Sequence, residues 1–145
     1  MLKQASVMDV KTGAVSRKDG YIVITMRYYP RFLRKELRDE FASDLAPDKL
    51  LLSDFNEAQK RLGNHNASFA EVDYEQRFQL DDAACRHLKA LSDLSCKQDV
   101  YLLCICKLGE RCHREILMLA AHKLFKCQIG EVFHEYPIFM NRLNG

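Results

Sequence analysis

Between Asp99 and Lys107 the chain reads Val-Tyr-Leu-Leu-Cys-Ile-Cys, with neither a charge nor a turn former in it. A strand with one wet face alternates apolar and polar side chains. A run without alternation has both faces covered, as in a parallel sheet lying between helices. The run is followed by a short loop, Lys107-Leu-Gly-Glu-Arg111, and then by a stretch rich in Leu, Ile, Met and Ala from Cys112 to Phe125. That stretch reads as a largely buried helix. Strand, loop and buried helix in this order restrict the chain to α/β architectures.

The remaining elements agree. Tyr21–Met26 is a second β-branched run, ended by Pro30. Lys3–Val10 reads as a short strand and Glu131–Glu135 as a last one, closed by Pro137. Helices are expected at Leu33–Phe41 and from Pro47 to Leu62. Another should start at Ser68, whose capping box would be completed by Glu71. Asp81-Asp82 opens a further helix with the apolar stripe Leu80, Ala84, Leu88, Leu91. Its 145 residues are one domain's worth, and no linker or repeat interrupts them. The expectation is a single domain over residues 1–145, a three-layer α/β/α fold with a mostly parallel sheet.

The formal net charge is +2. Such balance excludes a polybasic tail protein and is no evidence for nucleic-acid binding. No apolar run nears the ~18 residues that span a bilayer, so no membrane association is expected. The opening Met-Leu-Lys-Gln-Ala-Ser has no apolar leader, which implies a cytoplasmic protein. There the six cysteines would be free thiols, and Cys85, Cys96, Cys104 and Cys127 read as ordinary packing residues. The sequence does not indicate an oligomeric state.

In parallel α/β folds ligands bind beyond the carboxyl ends of the strands. Two segments lie there. The first is Cys106 to Arg114, where a loop enters a helix. Unpaired N–H groups and the helix dipole favour an anion or a thiolate at that place. Cys112 and Cys106 are the candidate reactive thiols, His113 a candidate proton carrier, and Arg111 and Arg114 candidate anion ligands. Consecutive helical residues point in different directions, however, so Cys112, His113 and Arg114 cannot all face one ligand. The alternative is a buried thiol, a histidine bonded to a backbone carbonyl and a surface arginine. The second segment, Arg27 to Arg38, sets five basic residues against Glu36 and interleaves them with Tyr28, Tyr29 and Phe32. It suits a phosphate backbone and stacked bases, or equally a solvated helix face over a packed core. Arg27 and Arg31, at the strand end, are its candidate anion ligands. Cys104, Cys106, Cys112 and His113 offer four soft ligands within ten residues, the number a zinc ion takes. Structural zinc sites place paired cysteines on turns rather than in a buried strand, so no metal and no cofactor is assigned.

Leu103-Cys104 followed by Cys112-His113-Arg114 resembles the signature of the Domain of Unknown Function 488 (DUF488) family. The block Tyr21-Ile-Val-Ile-Thr-Met-Arg-Tyr-Tyr-Pro-Arg31, with Lys35 and Leu45-Ala-Pro47, is similar to that family's earlier blocks. The resemblance runs from about Lys3 to Phe125 and implies a compact α/β fold with a site, but no defined reaction. It also shows departures. Met26 stands where many members have an acid, Phe32 where many have Gly, and Cys106 where many have Glu. Two candidates for a general base or metal ligand are thereby lost. Cys106-Lys-Leu-Gly-Glu-Arg-Cys112 is similar to the active-site loop of rhodanese-like sulfurtransferases, which implies Cys106 as nucleophile within a nest of loop amides. The upstream Asp-Val-Arg and Gly-His-Ile-Pro stretches of that family are missing. Three functions fit these residues. The first is a pocket for a phosphorylated small molecule, nucleotide or nucleic acid, held by Arg27, Arg31 and Arg114. The second is a thiol-transfer enzyme using Cys106 and Arg111. The third is a non-catalytic partner-binding domain.

Overall fold

A computed structural model describes residues 1–144. Four strands, β1 (Leu2–Ser6), β2 (Tyr21–Ile24), β3 (Glu40–Phe41) and β4 (Val100–Cys104), form an all-parallel sheet in the order β1-β4-β2-β3. Seven helices accompany it: α1 (Val7–Lys11), α2 (Lys49–Leu62), α3 (His65–Glu71), α4 (Tyr74–Arg77), α5 (Asp82–Ser95), α6 (His113–Phe125) and α7 (Pro137–Asn144). The chain is an α/β protein. None of its described helices is long and apolar enough to cross a membrane.

The unalternating strands are covered on both sides. Val23, Val100 and Leu102 point to one face, where Leu88, Leu91, Ile116 and Leu117 of α5 and α6 pack on them. Ile22, Ile24 and Leu103 point to the other, against Val7 and Val10 of α1 and Leu33. The layers are unequal: six helices build on the first face, while α1 and an irregular stretch through Leu33 and Leu37 cover the second. Caps set the helix starts. The Asp48 and Asp81 side chains accept the N–H groups of Leu51 and Ala84 at 2.8 and 2.7 Å. Gly63, at φ 64°, ends α2 in the left-handed conformation. Gly20 lets the turn before β2 approach β4, because a Cβ there would lie 2.4 Å from the Asp99 carbonyl oxygen.

Several expected elements differ. The helix expected at Leu33–Phe41 is one tight turn, Lys35–Leu37, followed by β3. Leu33 and Leu37 do face the core, but β2 has an open edge, and Asp39 and Ala42 fill it by donating to the Ile22 and Ile24 carbonyls. The Lys3–Val10 strand stops at Ser6, which forms a capping box with Asp9 and starts α1. Ser68 does not cap; it lies inside α3, which Asn64 caps four residues earlier. No strand forms at Glu131–Glu135. Leu2 pairs with Gln128 and Gly130, and the Phe133 N–H then turns to the Glu115 carboxylate instead of a ladder partner.

Candidate functional site

Past the ends of β2 and β4 lies a cavity of about 250 Å³. Its walls include Phe55, Phe69 and Tyr74 from α2, α3 and α4, with Leu52, Pro47 and Ile105. Phe69 and Tyr74 stack at 4.3 Å, and Phe55 meets Tyr74 edge-on. Cys104, Cys106, Cys112 and His113 line its inner end, and Arg27, Arg111 and His65 also border it.

Arg114 explains how the loop between β4 and α6 is held. Its side chain is fully buried. Nη1 donates to the Ala5 and Cys106 carbonyls at 2.8 and 3.0 Å, and Nη2 reaches the Lys107 carbonyl at 3.4 Å. Its Nε is buried without a partner. The guanidinium is thus spent on backbone, tying β1 to the loop. Glu110 Oε1 accepts the Lys107 N–H, and the Asn66 and His65 side chains bond the N–H and carbonyl of Arg111 at 3.0 and 2.7 Å. The loop's exit is therefore fastened to the start of α3.

Cys112, the extended residue before α6, and His113, its first residue, face the cavity instead, while Arg114 one helical position on points away. His113 Nε2 lies 2.6 Å from the Thr25 carbonyl oxygen, which can only accept, so Nε2 carries a proton. Its Nδ1 lies 3.6 Å from the Cys112 sulfur. Cys104 and Cys106, two residues apart on one face of the strand end, bring their sulfurs to 3.7 Å. Burial opposes ionisation of Cys112, yet hydrogen bonds from the Cys104 and Cys106 thiols and the charge of Arg114 hold it well below the usual thiol range. Cys106 moves the opposite way, raised by its hydrogen bonds to Cys104 and Cys112 and by burial. Within this group the neighbours favour the thiolate at Cys112 and oppose it at Cys106, the sulfur that the rhodanese-like reading singled out. Cys104, read as a packing thiol, belongs to the same cluster.

The family model described as the active DUF488-N3 subclade matches residues 6–122. The chain belongs to the DUF488 family. No curated protein and no solved structure matches it. The matched stretch of this DUF488 protein contains β2, β4, the Cys-His-Arg turn and the three aromatic walls.

The structure separates the arginines that the sequence grouped. Arg27 borders the cavity, its Nε donating to the Pro47 carbonyl at 3.1 Å. Arg31 is exposed and does not line it, because the chain beyond Pro30 turns to the α1 side, where Leu33 packs. Arg114 is sealed behind the loop. Arg111 is the second guanidinium at the cavity, lying over the Tyr136 ring and bonded by Nη1 to the Glu135 carbonyl. Sequence reasoning missed Thr25, His65 and the aromatic walls, whose segments were legible only as strand, loop and helices. It also missed Glu115 and Tyr136. Buried Glu115 accepts from Tyr136 at 2.7 Å, from the Phe133 N–H at 2.6 Å and from Gln4 at 3.0 Å. No local signal marks that convergence.

Proposed function

We propose that this DUF488 protein binds a phosphorylated small molecule with a flat ring, a nucleotide by preference, in the cavity at the carboxyl ends of β2 and β4. One observation carries the reading: two guanidinium groups from segments 84 residues apart, Arg27 and Arg111, border an aromatic-walled cavity whose inner end holds the Cys112 sulfur. Phe55, Phe69 and Tyr74 offer faces and edges to a ring. Each guanidinium makes a single hydrogen bond among the described residues, which leaves donors for phosphate oxygens. A cavity of about 250 Å³ takes a base-sized group and leaves a phosphate at the rim. Alongside it runs a groove with Lys49, Lys60 and the exposed Tyr28 ring, which extends the same chemistry to a nucleotide within a strand. Cys112 is the thiol placed to meet the ligand and His113 the neighbouring proton carrier. The support for thiol transfer from Cys106 is weaker, since its hydrogen bonds to Cys104 and Cys112 and its burial push that thiol up.

Calorimetric titration with nucleoside monophosphates, inorganic phosphate and a short single-stranded oligonucleotide tests the reading. Binding of a monophosphate or the oligonucleotide, weakened about tenfold by Arg27→Gln, supports it, as expected for one lost charge-assisted hydrogen bond. A slope of affinity against salt steeper for the oligonucleotide than for the monophosphate identifies a strand as the ligand. No binding by either, or equal binding by Arg27→Gln, overturns it.

A further inference from the structure

Three sulfurs converge at the inner end of the cavity. Cys104 and Cys106 come from the end of β4 and Cys112 from the residue before α6, and the three Sγ atoms lie within 4.8 Å of one another. We propose that they form a three-sulfur seat for a zinc ion whose fourth position opens into the cavity.

The spacing fits one ion. A zinc–thiolate bond is about 2.3 Å, so sulfurs sharing a tetrahedral zinc stand about 3.8 Å apart. The Cys104–Cys106 separation is already 3.7 Å, and the third sulfur stands within 4.8 Å of both. Placement on a strand end is unlike the paired turns of structural sites, but here the loop folds back so that position 112 supplies the third corner. Three protein ligands and one open corner are the arrangement of zinc sites that act on a bound molecule rather than merely staple a fold.

The charge also balances. Three thiolates on Zn²⁺ leave one negative charge, and the buried Arg114 guanidinium and the N-terminus of α6 lie beside it. Cys104 and Cys112 are buried and Cys106 half-buried, so the seat is shielded from bulk water yet reached through the cavity. His113 is not a ligand: Nε2 is bound to the Thr25 carbonyl, and the ring sits beside Cys112 as a supporting group. On binding, the ion replaces the protons of the thiols, which pass to solvent; no electron moves. The open corner would take water or an oxygen of the bound ligand. Only that last assignment rests on the proposed nucleotide pocket.

The experiment is a cobalt titration of the full chain, reduced and stripped by chelator, followed by absorption and by competition with zinc. One ion per chain is expected, with sulfur-to-cobalt charge-transfer bands in the near ultraviolet that vanish when zinc is added. Cys106→Ser, at a half-exposed position, should weaken binding by at least the roughly 100-fold that loss of a mere supporting residue can cost. Cys127→Ser, whose thiol sits elsewhere against Ser95, should bind the ion like the unaltered chain. Absence of the charge-transfer bands, or stoichiometric binding that survives Cys106→Ser, overturns the seat. Because Arg27→Gln probes the nucleotide and Cys106→Ser the ion, failure of one is distinguishable from failure of the other.

Discussion

The phenolic oxygen of Tyr136 accepts the backbone N–H of Cys112 at 3.0 Å, across 24 positions of sequence. The same hydroxyl donates to the buried Glu115 carboxylate at 2.7 Å. The N–H at the mouth of α6 is therefore satisfied by a side chain from the stretch before α7, beyond the residues that define the family match. Tyr136→Phe leaves that N–H and one carboxylate oxygen short of a partner in a dry place. It should cost about 1–3 kcal/mol in urea unfolding. A loss below about 0.5 kcal/mol would mean that water takes over both bonds.

Arg114 is a second test of the local architecture. Lysine keeps the charge but has no planar fork, so it cannot hold the Ala5, Cys106 and Lys107 carbonyls together. Arg114→Lys should destabilise the chain by about 3 kcal/mol and open residues 105–110 to proteolysis. Unchanged proteolysis of that loop would refute its role as the loop's clamp.

Arg31 and Arg111 make a paired prediction about ligand binding. Arg111 borders the cavity and Arg31 does not. Arg111→Gln should weaken nucleotide binding about tenfold, and Arg31→Gln should leave it unchanged. The reverse order in a titration would relocate the anion site to the far side of Pro30.

Stability should depend on pH through His87. Its Nδ1 lies 2.9 Å from both Asp44 oxygens and its Nε2 2.7 Å from Glu40, which also accepts from Tyr21. Burial opposes the imidazolium, but these carboxylates outweigh it and raise the His87 pKa above its ordinary value. A group with a raised folded pKa contributes fully below its unfolded value, about 6.5, and loses that contribution as pH rises through the folded value. The melting-temperature gap between the unaltered chain and His87→Gln should therefore be widest below about pH 6 and close at higher pH. A gap that widens toward alkaline pH would contradict the pairing.

Sequence reading succeeded where the controlling interactions are short in range. The Asp81 cap acts three residues ahead and the stripe Ala84, Leu88, Leu91 repeats with the helix, so the start and buried face of α5 were legible, and α2, expected from Pro47 to Leu62, runs from Lys49 to Leu62. The failures share a cause. Glu40 and Phe41 became a strand because β2 offered an edge, and 131–135 stayed irregular because Glu115 captured the Phe133 N–H. Both partners are remote in sequence.

For this protein, the unbroken apolar runs and the β4–loop–α6 order were sufficient to determine a parallel α/β fold and the end of the sheet at which the cavity lies. Both follow from local periodicity and from the need to cover two strand faces. Which side chains meet at that end was decided by tertiary structure alone. Two positions along the start of α6 separate Cys112 in the cavity from Arg114 behind it, and the closing of a loop sets three sulfurs together while Arg31 is carried away. Those outcomes depend on the orientation of whole segments, which no nearby residue encodes.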